Sequence, residues 1–329
     1  MKILHTADWH LGQTFYEYDR REEHFHFLEW LKQQIKQHEI DVLLIAGDVF
    51  DSPNPSAESQ RVYYRFLREV TSENPSLQIV IIAGNHDSAA RLEAPNPLLE
   101  DMNIIVRGTV RRNAEGDIDL QHFIVPLYTE GKVTAYCLAV PYLRQGDYPS
   151  AENYSKGVQQ LYEQLFNKVK EKGIPVVAMG HLQATGSEIS EDDRSERTVI
   201  GGLDLVYPDA FNEAITYTAL GHLHRSQRVS HRENVRYSGT PMPMSFAEKN
   251  NASGVVMITI DTEGTNIEKL EFQPLAGLVS IPPEARPLEE VLQVIGELPD
   301  GDVTLRSPYL EIKILMTEPE PSYKYKIEE

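Results

Sequence analysis

Five short apolar runs in this chain end in the same kind of polar cluster, and any fold it adopts must satisfy all five endings. The chain opens MKILHTADWHLG, where Lys2 to Ala7 read as a buried strand running into Asp8 and His10. IDVLLIA runs into Gly47-Asp48-Val49-Phe50-Asp51, and LQIVIIA into Gly84-Asn85-His86-Asp87. IPVVAM runs into Gly180-His181, and ITYTAL into Gly221-His222-Leu223-His224. Continuous apolar runs of this kind suit strands covered on both faces. In open α/β sheets, sites form beyond the carboxyl ends of the strands. A glycine directly before the polar residue, as in the last four endings, permits a tight turn and close backbone approach. In extended chain, residues i and i+2 face the same way, so Asp8 and His10 are expected to grip one ion from the end of the first strand.

Helical patterns lie between the runs. In REEHFHFLEWLKQQIKQH, Phe25, Leu28, Leu31 and Ile35 recur at helical spacing. Asn54 reads as an N-cap with Pro55 at the first helical position, opening a helix through Val62, Phe66 and Val70. A third helix runs through Val158, Leu161, Leu165 and Val169, and Gly173 suits its C-terminal cap. Beyond Gly221 the pattern turns β-rich, with VRYSG, GVVMITI and IEKLEF. The expected core is a sheet-dominated α/β unit with helices outside. The Pro-rich stretch PLAGLVSIPPEARP reads as a linker between residues 1–276 and a small second unit, 277–329. That unit carries an amphipathic helix, PLEEVLQVIGEL, a strand, PYLEIKILM, and the start of a helix at SYKYKIEE.

Composition narrows the chemistry. A single cysteine, Cys137, excludes an internal disulfide and a thiolate zinc cage, and in TAYCLAVPYL it reads as a small core residue. No apolar run approaches the roughly 18 residues of a membrane span, and with no secretion signal evident a cytoplasmic setting is expected. The formal net charge of −19 argues against a basic face that grips nucleic acid unaided. Of 11 histidines, His10, His86, His181, His222 and His224 lie at the strand endings. His5 is out of phase with Asp8, His24, His26 and His38 read as packing or surface residues, and His122 and His231 belong to no motif. Asp8, His10, Asp48, Asn85, His181, His222 and His224 are too many ligands for one ion and enough for two if Asp48 bridges. Imidazole, carboxylate and amide without thiolate suit manganese, iron, cobalt or zinc better than magnesium. Two such ions outweigh the charges of Asp8 and Asp48, which suits a phosphodiester oxyanion.

The ordered set D-x-H, G-D-x-x-D, G-N-H-D, G-H and G-H-x-H resembles the calcineurin-like metallophosphoesterases. HTADWHLG, GDVFDSPNPS, AGNHDSAARL, GSEISEDDRSER with GGLD, ALGHLHRSQRV and YSGTPMPMSF extend the likeness to their DNA-repair nuclease branch. The resemblance implies a four-layer fold, two packed β-sheets flanked by helices, plus a small α+β capping domain. It assigns Asp8, His10, Asp48 and His224 to one metal, and Asp48, Asn85, His181 and His222 to the other. It gives His86 a role at the scissile phosphate, stabilising or protonating the leaving oxygen, with Asp51 or Asp87 orienting it. Arg91, Arg225, Arg228 and Arg232 are candidates for phosphate contacts. It further implies manganese, a homodimer, an SMC-like ATPase partner forming a heterotetramer, DNA as substrate and a nucleoid-associated site of action. The branch continues past the capping domain into a segment that docks on the ATPase, so weakened docking is expected of this chain. Other dinuclear phosphoesterases, cyclic-nucleotide phosphodiesterases or protein phosphatases, share the metal motifs. A non-catalytic scaffold is disfavoured because all seven ligands and His86 are present.

Overall fold

The computed structural model describes residues 1–187, 205–299, 301–316 and 321–328. The elements of the first half are β1 (Lys2–Thr6), β2 (Thr14–Phe15), β3 (Tyr18–Asp19), α1 (Arg21–His38), β4 (Val42–Ala46), α2 (Ala57–Glu73), β5 (Gln78–Ile82), α3 (Ala89–Glu93), α4 (Asn96–Leu99), β6 (Ile104–Arg107), α5 (Leu120–Phe123), β7 (Ile124–Thr129) and β8 (Lys132–Ala139). There follow α6 (Tyr154–Val169), β9 (Val176–His181), β10 (Gln183–Ala184), β11 (Leu205–Val206), β12 (Tyr217–Gly221), β13 (Gln227–Val229), β14 (Arg232–Tyr237), β15 (Gly254–Asp261), β16 (Gly264–Glu271), β17 (Leu278–Arg286), α7 (Leu288–Gly296), β18 (Tyr309–Ile314) and α8 (Tyr323–Glu328).

Two six-stranded sheets face each other, ordered β16-β15-β1-β4-β5-β6 and β13-β14-β12-β9-β8-β7. Strand alternation divides their side chains between layers. Val42, Leu44 and Ala46 point inward and meet Cys137, Val177, Met179 and Ala219 of the second sheet. Leu43 and Ile45 point outward and pack under Leu28 and Leu31 of α1 and Val62 and Phe66 of α2. On the far side, Val158, Leu161 and Leu165 of α6 cover Leu138, Ala178 and Leu220. This is the four-layer α/β fold expected. β1, β4, β5 and β6 are parallel, as are β8, β9, β12 and β14, so the endings of β1, β4, β5, β9 and β12 share one rim.

Several local expectations change. β1 stops at Thr6, so Asp8 and His10 are not strand residues. The buried stripe of α1 runs through Phe27, Leu28, Leu31 and Ile35, with Phe25 on its margin. The N-cap of α2 is Ser56, whose hydroxyl accepts from Ser59 N at 3.0 Å, while Asn54 Oδ1 accepts from Arg91. The supposed linker contains β17, which pairs in parallel with β18. Its register shifts between Ile281 and Arg286, where Pro282 and Pro283 have no N–H to donate. Gly173 takes φ +68° as expected of a helix cap, after a short 3-10 extension of α6. The Ser-Glu-Asp-rich stretch 188–204 lies outside the described residues. Among the described residues, no helix is long and apolar enough to cross a membrane.

Candidate metal centre

The rim residues are held in an unusual backbone state. Asp8 (φ 55°), His10 (φ 46°), Asp48 (φ 48°) and His222 (φ 102°) all have positive φ, which costs a non-glycine residue on the order of 1–3 kcal/mol. Strand alternation therefore does not bring Asp8 and His10 together. Backbone hydrogen bonds lay 8–11 alongside 47–50: Asp8 N to Gly47 O at 3.0 Å, His10 N to Asp48 O at 3.0 Å and Leu11 N to Val49 O at 2.9 Å. Thr240 Oγ1 donates to Asp8 O at 3.0 Å. The buried Asp87 carboxylate accepts from Gly84 N (2.9 Å), Val49 N (3.2 Å) and Phe50 N (3.0 Å), locking the β4 and β5 loops together. The glycines make room. A Cβ on Gly84 would lie 2.1 Å from Asp48 Oδ1, and one on Gly221 would lie 2.0 Å from Ala46 O.

These constraints converge the candidate ligands. Asp8, His10 and His224 form one buried group with ligand atoms within 4.8 Å of one another, and Asp8, Asp48 and His181 form a second. His10, Asp48 and His86 form a third, so the three groups overlap in one centre. His181 Nε2 lies 3.3 Å from Asp48 Oδ2 and 2.9 Å from Asn85 Oδ1. His222 Nδ1 lies 3.0 Å from the same amide oxygen. Asp48 Oδ1 accepts from His86 N at 2.8 Å, and Asp8 Oδ1 accepts from His222 N at 3.0 Å.

Two buried atoms at the heart of the centre, His10 Nε2 and Asp48 Oδ2, make no hydrogen bond. Buried polar atoms normally find partners, so this pair marks a place for a cation. The imidazoles are also turned for that role. Carbonyl and carboxylate oxygens accept only, so His181 keeps its Nδ1 proton on Ala46 O (2.8 Å) and His224 its Nδ1 proton on Glu248 Oε1 (2.9 Å). Nε2 of each is thereby the metal-facing nitrogen. Carboxylate, imidazole and amide donors at this spacing fit divalent transition ions.

The electrostatics agree. Burial raises the Asp8 carboxyl to about 7, against the opposing pull of His181 and His224. Burial acts to lower His181, but Asp48 and Asp8 outweigh it and hold the imidazole at about 10. Burial would raise Asp48, yet His181 and His10 carry it well below the carboxylate range. His10 is raised, its burial outweighed by Asp51 and Asp48.

The positions of the neighbouring candidates differ from expectation in detail. Asp51 meets His86 through its backbone carbonyl, which accepts from Nδ1 at 3.0 Å, while its carboxylate lies 3.3 Å from His10 Nδ1. Asp87 bonds backbone amides and not His86. Arg91 is exposed and bonds Asn54 Oδ1, Arg228 pairs with Glu233, and Arg232 caps the carbonyls of Pro208 and Phe211. Arg225 follows His224 on the same rim and interacts with the surrounding protein. Glu248 escaped sequence reasoning. It sits in a 3-10 turn far along the chain, and YSGTPMPMSFAEK offers no periodicity to mark it. His5 and His24 are buried structural residues, His5 against Tyr217 OH at 2.9 Å and His24 between the carbonyls of Trp9 and Arg20.

A family model described as calcineurin-like phosphoesterase matches residues 1–226. The SbcD subunit of the nuclease SbcCD from Rhodobacter capsulatus is 38% identical over 311 residues, covering 91% of this chain and 76% of that protein. The same subunit from Escherichia coli is 32% identical over 296 residues, covering 84% and 70%. That of Bacillus subtilis is 30% identical over 276 residues, covering 78% and 66%.

Proposed function

The chain belongs to the calcineurin-like phosphoesterases and, within them, to the SbcD subunits of the SbcCD nucleases, and from that premise we propose that it is a manganese-dependent DNA nuclease working at two metal ions. It is a metal-dependent phosphodiester hydrolase. Its substrates in this reading are duplex ends, cut exonucleolytically, and single strands or hairpins, cut endonucleolytically. Its partner is an SbcC-type SMC-like ATPase, met as a heterotetramer built on a homodimer of this chain in the cytoplasm, at the nucleoid. Residues 1–276 form the nuclease unit and 277–329 the capping unit. The observation that carries the reading is the convergence of five strand endings on two unsatisfied buried atoms, His10 Nε2 and Asp48 Oδ2.

Asp8, His10, Asp48 and His224 hold one ion in this reading, and Asp48, Asn85, His181 and His222 the other. Paired divalent ions supply a nucleophile at neutral pH and a clamp on the attacking and leaving oxygens. Imidazole-rich donors favour manganese over magnesium. Ala46 O and Glu248 fix the tautomers of His181 and His224, so each presents a lone pair from Nε2. His86 holds its Nδ1 proton on Asp51 O, which leaves Nε2 to meet the scissile phosphate and stabilise or protonate the leaving oxygen. Arg91, Arg225 and Arg228 are the phosphate contacts outside the centre.

The test is cleavage of end-labelled duplex and hairpin DNA in manganese by the native chain and by His86→Ala. Cutting by the native chain and loss of at least about 100-fold in the variant are expected. Hydrolysis of a small phosphodiester with DNA left uncut would transfer the chain to another dinuclear phosphoesterase class.

A further inference from the structure

Directly after the metal centre the chain makes a hairpin that the chemistry above does not use. Gln13 N donates to His10 O at 2.9 Å, and β2 and β3 then pair as Thr14–Asp19 and Phe15–Tyr18. The two turn residues, Tyr16 (φ 47°) and Glu17 (φ 77°), are both left-handed, where hairpins normally place asparagine and glycine. An outlier of this kind persists only when its surroundings hold it.

They do. Phe15 is buried beneath the hairpin, with the Arg20 guanidinium 5.1 Å from its ring centre and Phe246 and Tyr309 at 5.4 and 4.8 Å. Arg20, itself buried, grips Glu23 at 2.9 and 2.8 Å and Pro243 O at 2.6 Å. Tyr309 OH donates to Glu23 at 2.9 Å. On this base stand Tyr16 and Tyr18, 66% and 65% exposed. Each is braced by another ring, Tyr16 by Phe246 at 5.9 Å and Tyr18 by Tyr309 at 5.7 Å. Phe246 opens the turn whose Glu248 holds His224, so the braces of hairpin and metal centre are one piece.

We propose that Tyr16 and Tyr18 form a stacking shelf for an unpaired base of the strand cut at the metal centre, a role that rests on the DNA-nuclease reading above. Tyr16 lies six positions after His10, at most about 20 Å of chain, so the shelf lies within a few nucleotides of the centre. The charge balance points the same way. The chain is acidic overall, and the hairpin carries Glu17 and Asp19, with Asp19 paired to Arg21 at 2.7 Å. Phosphate attraction is therefore weak here. Stacking on an aromatic ring needs no positive charge and tolerates every base. Rings already braced lose little freedom on binding.

The test uses the full chain with manganese and a single-stranded oligonucleotide carrying one 2-aminopurine, moved stepwise from the cleavage position. Binding is expected to quench the probe at one or two positions, and to quench it there far less in Tyr16→Ala/Tyr18→Ala. The same variant is expected to raise the KM for the oligonucleotide roughly 10–100-fold with kcat nearly kept, and Tyr16→Phe/Tyr18→Phe to restore the native value. Tyr128→Ala serves as the control. Tyr128 is exposed at the end of β7, which runs antiparallel to β8, and so lies at the end of the second sheet away from His181.

Position-independent quenching, or an unchanged KM in the alanine variant, overturns the shelf and leaves the nuclease reading intact. An equal loss of kcat on a base-free aryl phosphodiester makes the hairpin merely structural. A change in oligomeric state makes it a contact between copies, and either result overturns the proposal. A native chain that hydrolyses the aryl ester and cuts no DNA overturns the nuclease reading and the shelf together.

Discussion

Replacing Glu248 by glutamine keeps the shape of a side chain that is 1% exposed but removes its charge and turns one of its two acceptors into a donor. One Glu248 oxygen accepts from His224 Nδ1 at 2.9 Å and the other from Met244 N at 2.8 Å. Glutamine has one acceptor, so it cannot serve both donors. If its oxygen stays on Met244 N, its NH2 faces His224 Nδ1 and drives the imidazole proton onto Nε2, the atom facing Asp8 and His10. If its oxygen turns to His224, a buried N–H pair is opposed at Met244. Each arrangement carries a penalty of about 1–3 kcal/mol. Losing the partner behind a metal-ligating histidine typically weakens metal binding by roughly 10–100-fold. Calorimetric titration with manganese should show that loss in one of two binding steps, the one using His224, with the His181 step little changed. Thermal unfolding of the metal-free variant separates this from collapse of the turn. Two binding steps with native affinities in the glutamine variant would refute the role of Glu248. Equal weakening of both steps would refute the assignment of His224 to one ion.

Two further outcomes follow from the packing. Gly84→Ala places a Cβ 2.1 Å from Asp48 Oδ1 and 2.4 Å from Asp48 N, so Asp48 must move; a stability loss of roughly 1–3 kcal/mol in urea unfolding and loss of tight manganese binding are expected, and native binding would show that the loop absorbs the methyl. His24 is buried, and desolvation together with Arg20 lowers its imidazole to about 4, below the unfolded value of 6.5. The unfolded chain therefore takes up the proton first, so the neutral imidazole's contribution is intact above pH 6.5 and lost as pH falls toward 4. Between pH 6.5 and 5 that amounts to about 2 kcal/mol, seen as a shallower pH dependence of unfolding in His24→Gln; parallel curves would contradict it.

Much of the centre was legible because its signals are local. A run such as IDVLLIA states that a strand is covered on both faces, and the glycine after it states that backbone must pass close by. Val42, Leu44 and Ala46 did turn to the inner layer, Gly47 and Gly221 did abut the rim of the other sheet, and Gly84 did abut the neighbouring β4 loop. Other signals misled for equally physical reasons. Pro282 and Pro283 suggested a linker, yet they fall where the β17–β18 ladder is interrupted and no donor is needed. Asn54-Pro55 suggested a helix start, but Ser56 offered the hydroxyl that meets Ser59 N.

Residue types and spacing by themselves determined the strands, their endings, and the identity of the eight polar residues that meet there. Tertiary structure alone decided how they meet. Asp8 and His10 come together through left-handed backbone pinned to the β4 loop, not through strand alternation. Asp51 turns its carbonyl to His86 and its carboxylate to His10. Glu248 arrives behind His224 from a turn with no pattern of its own. Periodicity and glycine placement act through neighbours in sequence, so they can be read from the chain. A hydrogen bond between loops 38 residues apart, such as His86 N to Asp48, exists only once β4 and β5 have paired, and one 214 residues apart, such as His222 N to Asp8, only once two sheets have packed and brought their rims together.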